Sequence, residues 1–81
     1  MISISVRSYR TLPDPPSMFK VGSRFAVELA DGTTVHDLIK RVLAFPEEEI
    51  ELVAVNGKHE QGDYVLQMND RVDIFPVITG G

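Results

Sequence analysis

The sequence predicts one α+β domain, a mixed sheet with a single main helix packed on one face. Three observations lead there. Ile2, Ile4 and Val6 alternate with Ser3, Ser5 and Arg7, the period of a strand with one buried face. Val35, Leu38, Ile39, Val42 and Leu43 fall at helical spacing as one apolar stripe. A second β-rich region then follows, from Ile50 to Phe75. Strands, a crossing helix and further strands bury their apolar sides by forming two layers.

The elements follow in order. The first strand starts at Ile2 and is expected to reach Tyr9. Leu12 to Gly22 holds three of the five prolines; because proline donates no ladder hydrogen bond, this stretch is expected to be an extended loop. Met18 and Phe19 within it are expected to cover an open end of the core. Phe25, Val27 and Leu29 mark a second strand, which stops at the turn signal Asp31-Gly32. Thr34 is placed to cap the helix, with Asp37 three residues on completing a variant capping box. Pro46 is expected to end the helix, since its ring restricts Phe45 to extended angles. Glu47-Glu48-Glu49 suits a short solvated turn. Ile50–Val55 is a strand, Asn56-Gly57 a two-residue hairpin signal, and the return arm starts at Lys58. A short strand is expected around Tyr64-Val65-Leu66. Asn69-Asp70 forms a turn, and Arg71–Phe75 is the last strand, with Val72 and Ile74 inward and Phe75 outward.

Composition narrows the function. A chain of 81 residues, 43% hydrophobic and 25% charged, is an ordinary globular domain with little space for an enzyme cleft. No apolar run is long enough for a membrane helix, and the alternating N-terminus lacks a signal peptide's core, so a soluble, cytoplasmic protein is expected. The chain has no cysteine, hence no disulfide, thiolate metal site or cysteine nucleophile. Residues 1–41 carry six Lys/Arg against four Asp/Glu, and residues 42–81 carry two against eight. That acidic half disfavours nucleic acid and suits a basic protein surface, with Glu47, Glu48, Glu49, Asp63, Asp70 and Asp73 as its candidate patch. His36 and His59 show no metal-ligand spacing, and no metal is assigned. No phosphate-binding glycine loop, Ser/His/Asp arrangement or paired carboxylates occur.

There remains Val77-Ile78-Thr79-Gly80-Gly81. Terminal glycines have nothing to pack and high backbone entropy, so no fold requires them. With the strand–strand–helix order, Val53-Ala54-Val55-Asn56-Gly57 and Asp70-Arg71-Val72-Asp73-Ile74-Phe75-Pro76, this tail resembles the MoaD/ThiS family of ubiquitin-like sulfur carriers. The resemblance spans nearly the whole chain. It implies a β-grasp (ubiquitin-like) fold over residues 1–76, a flexible tail over 77–81, and a C-terminal glycine that a ubiquitin-activating-type adenylyltransferase adenylates before it becomes a thiocarboxylate. It further implies a non-catalytic sulfur-donor subunit working with a larger synthase subunit or a thiazole synthase. No cofactor is bound by the carrier itself; ATP and a sulfur donor are used through the activating enzyme.

The residues suit that chemistry. At neutral pH a terminal carboxyl, with a reference pKa of about 3.3–3.7, is an anion and a poor electrophile, and it must be activated before a sulfur nucleophile attacks. Gly81 would carry the group, and Gly80 would let the backbone thread a narrow channel. Five extended residues reach roughly 16 Å. Phe75, Val77 and Ile78 form a candidate apolar anchor for the partner, with Thr79 and Gly80 following; the competing reading of Phe75 is an aromatic packed on a neighbouring strand or loop. The length and the long proline segment lean towards molybdopterin (or tungsten) cofactor synthesis. Thiazole formation, conjugation to lysines of other proteins and a plain β-grasp binding module remain as alternatives.

Overall fold

The computed structural model describes residues 1–9, 20–46 and 50–77. Five strands form one sheet: β1 (Ile2–Ser8), β2 (Arg24–Leu29), β3 (Ile50–Val55), β4 (Lys58–His59) and β5 (Arg71–Pro76), in the order β2-β1-β5-β3-β4. The sheet is mixed. β1 and β5 are parallel neighbours, while β1–β2, β3–β5 and β3–β4 are antiparallel. The last strand thus lies in the middle of the sheet, and the chain leaves it between the C-terminal end of β1 and the N-terminal end of β3.

Alternation decides the faces. Ile4, Val6, Val53, Val55, Val72 and Ile74 are all buried and meet Leu29, Val35, Leu38, Ile39, Leu43, Phe45 and Leu66 in one core. Burying each such aliphatic side chain contributes roughly 1.5–3 kcal/mol, which is what holds a helix this short against the sheet. Among the described residues no helix is long and apolar enough to cross a membrane.

The helix departs from its expected geometry. It begins as α1 (Val35–Asp37), capped as anticipated: Asp37 N–H donates to Thr34 Oγ1 at 3.1 Å and Thr34 N–H to Asp37 Oδ2 at 3.4 Å. It then widens into a π-helical turn over Leu38–Val42, where Leu43 N–H bonds the carbonyl five residues back, on Leu38. The extra residue rotates the stripe, so Val42 is 46% exposed while Leu43 and Phe45 take the core positions. Ala44, at φ 58°, makes the left-handed turn that ends the helix, and Phe45 N–H reaches back to the Ile39 carbonyl. Helix termination therefore precedes Pro46.

The strand expected at Tyr64–Leu66 is a second correction. Among the described residues a single antiparallel bridge forms there, Thr34 with Val65, because the segment serves the helix start. Val35 N–H donates to the Tyr64 carbonyl, His36 N–H to Gly62 and Leu66 N–H to Thr33, and the Leu66 side chain is buried below. Both special turns behave as read: Asn56 and Gly57 sit at φ 53° and 83°, a two-residue hairpin, and Asn69 sits at φ 69°. The proline segment with Met18 and Phe19, apart from its last residues, and Glu47-Glu48-Glu49 lie outside the described residues.

Candidate functional site

The site is built by the strand end from which the tail departs. Because Val72 and Ile74 face the core, their neighbours Arg71, Asp73 and Phe75 project from the opposite face of the sheet, which carries no helix among the described residues. Parallel pairing sets Arg7 beside Asp73 and Ser8 beside Ile74. Tyr9 consequently lies level with Phe75, and its N–H still bonds the Ile74 carbonyl at 3.1 Å although the strand proper ends at Ser8. The two rings stack at 5.0 Å between centroids and 14° between planes. Phe75 is outward as expected and packs on a neighbour, Tyr9, as the competing reading of it held. Leu52 of β3 is its cross-strand partner.

Below the aromatic pair lies a charged row. Arg7 and Arg24 face each other across β1–β2, and Asp73 flanks Arg7 on β5. Arg24 Nη2 binds Asp73 Oδ1 at 2.7 Å, and Arg7 Nη1 donates to the Tyr9 hydroxyl at 3.0 Å. That hydrogen bond raises the Arg7 pKa further above its ordinary value. Arg71 lies one step along β5, and its backbone is fixed by the hairpin: Asn56 N–H donates to the Arg71 carbonyl and Arg71 N–H to Asn56 Oδ1.

Asp70 fastens this corner. It is 5% exposed, and it accepts from Asn56 Nδ2 at 2.9 Å, Tyr64 Oη at 3.2 Å and Gln67 N–H at 2.8 Å. Its own carbonyl accepts from Ser5 N–H, tying the turn to β1. Burial, and then the hydrogen bond to Asp70, raise the Tyr64 pKa. Asp70 and Asp73 are thus committed to internal partners and do not join an acidic docking patch, leaving Asp63 exposed.

Of the tail residues, Val77 is described and 38% exposed, whereas Ile78, Thr79, Gly80 and Gly81 lie outside the described residues. His36 and His59 are exposed and border one shallow cleft with Gln61 and Gly62. Sequence reading missed Tyr9, Arg7, Arg24 and Arg71 as a group. Their alternation was visible, but only the pairing of β1 with both β2 and β5 unites them.

Comparison with known proteins points the same way. The family model described as "ThiS family" matches residues 18–81. No curated protein matches the sequence. A Pyrococcus furiosus structure described as molybdopterin converting factor, subunit 1, superposes with a TM-score of 0.64 at 24% identity, covering 96% of this chain and 100% of that one. SAMP1 from Haloferax volcanii superposes at 0.62 with 19% identity, covering 98% and 99%. At these identities the likeness is one of fold, the ubiquitin-like β-grasp.

Proposed function

The chain belongs to the ThiS family of ubiquitin-like sulfur carriers, and from that premise we propose that Gly81 is its reactive residue, thiocarboxylated to donate sulfur in molybdopterin or tungsten cofactor synthesis. The observation that carries this reading is the family match running through to Gly81, on a chain whose last strand lies in mid-sheet and ends at Pro76, five residues before that glycine.

The terminal carboxylate attacks the α-phosphorus of ATP, pyrophosphate leaves, and the acyl-adenylate forms. A sulfur nucleophile then attacks the acyl carbon and AMP departs. An adenylyltransferase of the ubiquitin-activating type holds the nucleotide, and this chain supplies the acyl group and the surface that docks. Val77, Ile78 and the edge of Phe75 contribute apolar contact, Thr79 and Gly80 pass the channel, and a larger synthase subunit receives the loaded tail. A cytoplasmic setting fits this use of ATP.

Intact-mass measurement after incubation with ATP, sulfide and a candidate activating enzyme tests the proposal. A gain equal to exchange of one oxygen for sulfur, located on Gly81, is expected; an unchanged mass with activating enzymes from each sulfur-carrier pathway refutes it. A second reading, attachment of Gly81 to lysines, draws on the fold shared with a small archaeal modifier protein. Isopeptide-linked Gly81 in digests of cell extracts would identify it.

A further inference from the structure

The open sheet face carries a charge pattern opposite to that of the whole chain. Net charge is −4, yet Arg7, Arg24 and Arg71, with Asn56, Gly57 and Asp73, line an open cleft of about 480 Å³ on this face. Within it, three guanidinium groups face one carboxylate.

Folding does not ask for this arrangement. Arg7 and Arg24 are direct cross-strand partners, and like charges placed so are destabilising. Asp73 relieves part of the repulsion through its 2.7 Å pair with Arg24. Arg71 has no hydrogen bond or ion pair from its side chain among the described residues, and the Nε atoms of Arg7 and Arg24, buried at the base of the row, have no acceptor there. Native structures rarely leave such donors unmatched without a reason, and departures from local consistency concentrate at functional sites.

We propose that this face binds an acidic segment of a partner protein, with separate carboxylates pairing to Arg7 and Arg71 on either side of Asp73 and an apolar side chain resting on the Tyr9–Phe75 stack. Two features favour a peptide over a compact polyanion. Asp73 stands among the three arginines and pairs with Arg24, which leaves Arg7 and Arg71 as two separated positions that spaced carboxylates can meet one at a time and a compact polyanion, carrying more charge past Asp73, meets less well. The aromatic pair and Leu52 adjoin the row and offer apolar contact that a phosphate does not use. This inference concerns the folded body and holds whether or not Gly81 is thiocarboxylated.

The test uses the full chain, isotopically labelled for amide NMR, titrated with a synthetic peptide alternating Asp/Glu with Leu. Saturable shifts are expected at Arg7, Arg24, Asn56, Gly57 and Arg71, weakening steeply between low and physiological salt. Arg71→Glu, on an exposed side chain that leaves the core untouched, should weaken binding by about tenfold. The proposal is overturned if no saturable shift appears, if the shifts map to the helix face, if a Lys/Leu peptide binds the same residues equally, or if pyrophosphate reproduces the peptide's shifts at lower concentration.

Discussion

Asp70 shows how one side chain can set the position of a whole strand, here β5. A nearly buried carboxylate is tolerable only when its oxygens are satisfied, and here three donors converge on it from the hairpin, from Tyr64 and from its own turn. Asp70→Asn keeps the shape but turns an amide donor towards one of those donors. It should cost about 2 kcal/mol in denaturant unfolding, with shifted amides at Asn56 and Arg71, since both hang on the same hairpin. Tyr64 adds a pH dependence whose direction is fixed. Its pKa is raised above the ordinary 10.0 in the folded chain, so near that pH the unfolded chain loses the phenolic proton first. The stability it contributes is complete below pH 10 and lost as pH rises through the folded value. Unfolding midpoints followed from pH 8 upward should therefore fall above about pH 10, and Tyr64→Phe should flatten that fall.

The helix separates legible from illegible at the scale of elements. Its start was readable because a cap depends on adjacent residues, Thr34 and Asp37. Its interior was not: the five-residue spacing from Leu38 to Leu43 arises from packing against the sheet, and a period of 3.6 placed Val42 inside. Substitution can distinguish the two geometries. Val42→Ala should change stability by less than about 0.5 kcal/mol, whereas Leu43→Ala should cost about 2–4 kcal/mol. A costly Val42→Ala would mean a regular α-helix in solution. Strands were read more fully than the helix, since alternation survives any register. Tyr64–Leu66 misled for the opposite reason: its residues favour strand, but its hydrogen bonds go to Thr33 and Val35 at the helix start, and among the described residues no second strand lies beside it.

For the whole molecule, the decisive fact is the place of β5, which no local pattern contains. Parallel pairing of the first and last strands brings together residues nearly seventy positions apart, and so creates the aromatic stack and the arginine row beside the departing tail. Phe75, expected as an outward anchor, is stacked on Tyr9, so truncating it would disturb folding and could not report on docking alone. The cleaner test of the division between body and tail lies beyond the sheet. The buried core of the described residues ends at Ile74, and terminal glycines offer no side chain to it. Deleting Gly81 should therefore move the unfolding free energy by less than about 0.5 kcal/mol while abolishing thiocarboxylate formation, and a tag fused after Gly81 should do the same by removing the free carboxyl. Calorimetric melts paired with intact-mass analysis of all three chains would decide it. A large stability loss on deletion would make the tail structural, and sulfur loading of the tagged chain would show that the acyl group lies elsewhere.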